Sequence, residues 1–221
     1  ELLRSERLAV IGEFSRAIAH GIRNPLASIR AAAQVAGARS TDSRVADTLQ
    51  DVIQEADRLD GRVRGLLDYS RPFRASVQSV DLAALLEEVA DSLRAQASAQ
   101  EFETTVAVAC PPGVAIDTDR ASLSEVLYEL GVNGLRAMRE GGHLTLEVTV
   151  DDQVRIRVTD TGTGIPKGQE ETIFEPFFTT RTEGTGLGLP TVLKLVEGLH
   201  GGLSLVRSGD DGTTIEVRFP V

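Results

Sequence analysis

The chain has 221 residues, 41% of them hydrophobic and 25% charged, with a net charge of -10 at pH 7. That length holds one large or two ordinary globular domains, and the composition excludes a disordered chain. The charge argues against a nucleic-acid binder, because phosphate backbones reward cations. The single cysteine, Cys110, excludes an internal disulfide and a cysteine-built metal site, and fits a reducing compartment. The three histidines are too scattered to share a metal. There is no run of eighteen apolar residues and no visible signal peptide. The chain opens in a helical pattern, so a membrane anchor or sensor region, if there is one, is expected before Glu1, with this part in the cytoplasm.

Helix formers run from about Leu2 to Gly37, interrupted at Pro25, which is expected to bend the helix. Ile11, Ile18, Ile22 and Ile29 form one helical stripe. His20 stands two residues from both Ile18 and Ile22, about 160° round the helix from each. If the isoleucines face a core, the imidazole faces water; a lone histidine there is ordinarily just a surface residue. Ser40-Thr41-Asp42 marks a new start. Val45, Leu49, Val52, Ala56, Leu59, Val63 and Leu66 then alternate spacings of four and three, a heptad seam that ends near Ser70, before Pro72. Two such helices cannot bury their stripes alone, so the expected assembly is a homodimer whose two hairpins make a four-helix bundle.

Arg71 to Ser79 reads as a linker without period. Asp81 caps a helix to about Ala99, and Thr104–Ala109 is an alternating strand. A short strand at Val114–Ile116 precedes Asp119, which caps a helix from Arg120 to about Arg139. Two strands, Leu144–Val150 and Val154–Thr159, alternate cleanly, so one face is buried. A helix from Pro190 to about Leu199 and strands at Leu203–Val206 and Thr214–Phe219 close the chain. This pattern predicts an α/β sandwich, a mostly antiparallel sheet with helices on one face.

Three stretches of the second half can carry chemistry. Glu129 and Asn133 share a helix face, with Arg136 further along; an acid, an amide and a guanidinium there can hold Mg²⁺ and phosphates. The same pattern also describes an ordinary surface helix. Asp160-Thr161-Gly162-Thr163-Gly164 directly follows a strand; it is either an acidic turn or a carboxylate that accepts from an exocyclic amine beside glycines that admit a ligand. Gly184-Thr185-Gly186-Leu187-Gly188-Leu189 opens the last helix, where bare amides bind phosphate. It lacks the ending of a P-loop, and one glycine-rich run is weak evidence.

Taken in order, the stretch His20-Gly21-Ile22-Arg23-Asn24-Pro25-Leu26 and these three motifs resemble the transmitter region of a two-component sensor histidine kinase. The nitrogen-regulation type is the nearest. Ile173-Phe174-Glu175-Pro176-Phe177-Phe178-Thr179-Thr180-Arg181 looks like that family's F box, and the likeness covers essentially the whole chain. It implies a dimerisation and phosphotransfer domain over residues 1–71, a linker over 72–80, and a catalytic domain over 81–221. The catalytic domain would have the Bergerat-type ATP-binding fold of kinases, gyrases and chaperones. By this resemblance His20 is the phosphoacceptor, and Asn24 assists water attack on the partner's phosphoaspartate. Asn133, with Glu129, would ligate Mg²⁺. Arg136 would contact phosphate and Asp160 would read adenine. Gly162, Gly164, Arg181, Gly184, Thr185, Gly186, Leu187 and Gly188 would shape the ATP pocket and its lid, about Pro166 to Glu183. The implied activity is autophosphorylation from ATP and transfer to a response-regulator receiver domain, with phosphatase activity.

Two departures stand out. Gly21 replaces the family's acid after the histidine, so autophosphorylation is expected to be slow or absent, with phosphatase activity through Asn24 less affected. In the nucleotide helix, Glu129 and Gly134 replace the usual Asn and Ala. Gly131 and Gly134 either open room beside a nucleotide or loosen the helix. These changes also fit a degenerate kinase that senses nucleotide and docks partners, and Glu129 alone fits a related ATPase.

Overall fold

The computed structural model describes residues 2–70, 73–99, 102–180 and 184–220, with side chains from Gly21 onward except at 64, 68 and 70. Contacts divide the chain into two units. The first is 1–72 with Thr179–Leu187, and the second is Phe73–Phe178 with Gly188–Val221.

The first unit is a helical hairpin, α1 (Leu2–Arg39) and α2 (Ser43–Ser70). The helix assignment runs unbroken through Pro25. Asp42 starts α2 by accepting from the Arg44 amide at 2.9 Å. The seam splits into two rows with a heptad period. Leu26 and Ala33 on α1, and Ala56 on α2, are buried between the helices, with Leu49 and Val63 half-buried in the same row. A second row stays exposed, from 38% at Val52 and 39% at Leu59 to 41% at Ile22 and 49% at Ile29. The sequence stripe led by Ile22 and Ile29 is therefore not the one that packs inside the hairpin. A helix in a four-helix bundle needs two apolar rows, and the hairpin consumes one.

The second unit contains β1 (Val77–Asp81), α3 (Leu82–Ala97), β2 (Thr104–Ala109), β3 (Ala115–Asp119), α4 (Arg120–Ala137), β4 (Gly142–Val150), β5 (Gln153–Asp160), α5 (Gly188–Gly198), β6 (Gly202–Gly209) and β7 (Gly212–Pro220). A five-stranded sheet has the order β2-β4-β5-β7-β6, and β1 pairs antiparallel with β3 in a separate two-stranded ribbon. β2 runs parallel to β4, while the other pairs of the main sheet are antiparallel. Leu144, Leu146, Val148, Val154, Ile156 and Val158 point into one core with Leu85, Leu86 and Leu93 of α3 and Leu123 and Leu127 of α4. Each fully buried leucine contributes about 1.5–3 kcal/mol relative to exposure, which holds the helices on that face.

The stretch read as linker contains a strand. Val77–Asp81 shows a single buried residue, Val80, so its sequence carries no alternation; pairing with β3 makes it a strand. Phe73 packs against Gly198, where a Cβ would meet the ring at less than van der Waals contact.

Both predicted aspartate caps form. Asp81 accepts from the Ala84 amide at 3.2 Å. Asp119 accepts from Ser122 at 2.8 Å and, through its other oxygen, from the Ser76 amide at 2.6 Å. These bonds, led by that from Ser122 and opposed by burial, hold the carboxyl below its ordinary pKa. Its contribution is thus present above the ordinary carboxylate range and is lost as pH falls through the depressed value. Asp119→Ala should cost about 2 kcal/mol at pH 7, combining a lost cap and an orphaned amide. Urea unfolding of variant and wild type should show that gap closing in acid; a constant gap would assign it to packing.

Candidate functional site

In the second unit the sheet delivers Asp160 at the end of β5, between Leu144 of β4 and Thr213 of β7. The side chain is buried, and its Oδ1 accepts from the Gly162 amide at 2.8 Å. The loop after it is braced on both sides. Gly162 lies against Ala137 at the end of α4, and the Thr163 amide donates to the Ala137 carbonyl at 3.3 Å. Gly164, at φ +68°, lies against the Gly209 backbone, and the Ile165 amide donates to Ser208 Oγ at 2.7 Å. The aspartate is therefore held on a rigid frame of backbone contacts.

Gly134 of α4 faces this aspartate. A Cβ there would lie 2.8 Å from Leu144 Cδ1 and 3.1 Å from Asp160 Cβ. Gly131 likewise faces Leu93 of α3, too closely for any side chain. The sequence left open whether these glycines make room for a ligand or loosen the helix. Both are close-packing positions, which let α4 sit tight on the sheet and on α3.

One turn apart on the same helix, Glu129 and Asn133 converge on the start of α5. A Cβ on Gly188 would lie 3.1 Å from Glu129 Oε2 and 3.7 Å from Asn133 Nδ2. Burial raises the Glu129 pKa, Arg136 offsets part of that, and Glu125 adds to it. Arg136 itself is exposed. Lys194 on α5, which the sequence reading passed over, has its pKa lowered by burial, with Glu125 opposing the shift.

Because Glu129 is easier to protonate in the folded chain, ionising it costs stability as pH rises from the ordinary carboxylate range through its raised value. Glu129→Gln should therefore raise the melting temperature at pH 7, and the gain should shrink toward pH 4. Thermal melts across that range test it, and an acid-side gain of equal size would refute the burial argument.

No group of three or more His, Cys, Asp or Glu side chains that could hold a metal is present among the described residues. The Glu129 carboxylate and the Asn133 amide oxygen nevertheless suit Mg²⁺, which takes few protein ligands and fills its shell with water and phosphate oxygens. Any side chain at 188 would lie against both head groups.

The remaining sequence-predicted residues fall elsewhere. Gly184, Thr185 and Gly186 are half-buried, with Gly186 at φ +66°, and belong by contacts to the first unit. Thr185 Oγ1 accepts from the Leu187 amide at 3.3 Å. Leu187 is buried in that unit, with Gly65 of α2 close to its Cδ1. Its side chain is thus a packing group. Arg181 lies outside the described residues. In the F box, Ile173 is buried, while Phe177 is exposed at φ +70°.

On α1, His20 is helical, and its side chain lies outside the described residues. Asn24 is exposed, and its carbonyl accepts from Ser28 Oγ at 3.1 Å. Gly21 is exposed, with no atom within 4 Å of where a Cβ would stand. The sequence reading also missed the cross-helix contact of Arg23, whose Nε lies 3.3 Å from Asp60 Oδ1. No helix among the described residues is long and apolar enough to cross a membrane.

Two family models match the chain in this order. The His Kinase A (phospho-acceptor) domain covers residues 10–72. The Histidine kinase-, DNA gyrase B-, and HSP90-like ATPase covers residues 118–221. Sensor histidine kinase ZraS of Escherichia coli strain K12 is 37% identical over 227 residues, covering 100% of this chain and 48% of that protein. Signal transduction histidine-protein kinase AtoS of the same strain is 31% identical, covering 100% of this chain and 36% of its own. Histidine kinase ThkA, solved in complex with response regulator protein TrrA, has a TM-score of 0.69 at 26% identity, over 98% of this chain and 64% of that one. The chain spans about half the length of the curated relative first named, 48%. With a phospho-acceptor hairpin and an ATPase-type sandwich in one order along one chain, this protein belongs to the two-component sensor histidine kinases, of which these residues form the transmitter region.

Proposed function

We propose that this region is an ATP-dependent protein-histidine kinase core that phosphorylates itself on His20 and passes the group to a receiver-domain aspartate. Residues 1–71 serve dimerisation and phosphotransfer, and 81–221 bind ATP, joined through 72–80. The observation that carries the reading is the convergence of Glu129 and Asn133 on Gly188, on the same helix whose Gly134 abuts Asp160. Asp160 keeps one oxygen on the Gly162 amide and turns the carboxylate to the exocyclic amine of adenine. Arg136 meets the phosphates, and Gly162, Gly164 and Gly188 shape the pocket. Mg²⁺, held by Asn133 and Glu129, would neutralise phosphate charge when bound.

In the first step an imidazole nitrogen of His20 attacks the γ-phosphorus. The N–P bond forms, the bond to the β–γ bridging oxygen breaks, ADP leaves, and the ring proton goes to water because Gly21 offers no base. In the second step a receiver aspartate attacks the same phosphorus and the N–P bond breaks. Asn24, exposed on the same helix, orients water for hydrolysis of the resulting phosphoaspartate. The exposed row of Ile22, Ile29, Val52 and Leu59 supports a homodimer, in which a second hairpin covers it. Such a core works in the cytoplasm, where ATP and receiver domains are found.

Incubation with γ-labelled ATP and Mg²⁺ tests the reading. Acid-labile, base-stable label should appear and be absent from His20→Gln. Label that persists in that variant, or free phosphate released without labelled protein, would overturn it.

A further inference from the structure

Among the described residues, two ion pairs join α1 to α2, and they differ in setting. Arg30 and Asp57, 3.4 Å apart, have half-exposed side chains, 50% and 55%. Arg23 and Asp60, 3.3 Å apart, are more covered, 38% and 24%. The Arg23 Nε is fully buried and makes no aligned hydrogen bond, so the Asp60 carboxylate balances it by charge alone. An exposed pair is worth little, whereas breaking a shielded one strands a charge.

The position of the shielded pair matters more than its strength. Arg23 lies one turn beyond His20 and beside Asn24. This part of α1 holds two residues that weaken a helix. Gly21 lowers helix propensity there, and Pro25 has no amide to donate to the Gly21 carbonyl. Arg23 stands three residues before Leu26 in the buried row, and Asp60 stands four after Ala56, so the pair ties this turn to the closed side of the hairpin.

We infer that Arg23 and Asp60 are positioning residues for phosphoryl transfer, fixing the rotation of the acceptor turn on α1 against α2. The inference rests on the proposed role of His20. It acts on the rate of transfer and leaves ATP binding alone, since misplacing an acceptor by about 1 Å can cost on the order of 10²-fold.

The test is single-turnover phosphorylation by γ-labelled ATP, with KM for ATP measured alongside. It is run at a temperature where far-UV helicity of each variant equals wild type. Asp60→Asn should lower the saturating rate at least about tenfold with KM unchanged. The swap Arg23→Asp with Asp60→Arg should recover most of it, and Asp57→Asn should stay within about twofold. Should Asp60→Asn fail to fold, Asp60→Glu, which keeps the charge but shifts its reach, should still slow transfer. An unchanged rate in Asp60→Asn, an equal loss in Asp57→Asn, or no recovery in the swap would overturn the positioning role while leaving His20 as acceptor. Absence of label from both wild-type protein and Gly21→Glu would overturn the role of His20 and this inference together.

Discussion

Gly21→Glu should raise phosphoryl incorporation from ATP by about 10²–10⁴-fold, the range a positioned general base contributes. In the proposed reaction the attacking imidazole must shed a proton, and Gly21 offers no group to receive it. A glutamate one residue along the helix would supply the acceptor. Among the described residues, no atom beyond its own helix backbone lies within 4 Å of where its Cβ would stand. Removing a helix-interior glycine also strengthens α1 by several tenths of a kcal/mol, so stability has to be separated from chemistry. Gly21→Ala does so, since it gives the helix gain without the base. The initial rate of label uptake should rise strongly in the glutamate variant and little in the alanine variant. Equal rises in both would remove the acid from the mechanism and leave helix order as the limiting factor.

Gly212→Ala should lose both stability and nucleotide binding. Gly212 sits at φ +118°, and a Cβ on it would overlap the carbonyl oxygen of Asp160. Strained backbone costs about 1–3 kcal/mol, and forced overpacking adds about as much again. The damage falls on the pairing of β5 with β7, where Asp160 faces Thr213. The Asp160 carboxylate, proposed above to read adenine, would move with its own main chain. Urea unfolding should show a loss of about 2–6 kcal/mol, and a fluorescent ATP analogue should bind at least about tenfold more weakly. Gly113→Ala makes the comparison, since Gly113 has φ +74° but an empty surround. If the two variants behaved alike, the contact with Asp160 would carry no weight.

Much of this architecture is legible in local patterns. The heptad spacing on α2, the caps at Asp81 and Asp119, and the alternation of Leu144–Val150 and Val154–Thr159 each encode one element within a few residues of chain. The motif residues follow the same logic: Glu129 and Asn133 had to share a face because a helix turn brings i and i+4 together. What escaped notice involves distant partners. The strand Val77–Asp81 has one buried side chain and becomes a strand only against Ala115–Asp119. Ile22 and Leu26 are both good core residues by composition, yet only Leu26 packs inside the hairpin.

The sequence alone determined the two-part plan and the order of the motifs, including the stretch that holds His20, because periodicity and motif spacing are properties of neighbours along the chain. Tertiary structure alone decided that Gly131 and Gly134 are packing contacts, that Gly209 and Gly212 brace the Asp160 loop, and that Arg23 meets Asp60. Each of those facts depends on how closely two segments far apart in sequence approach. That distance is set by the whole core.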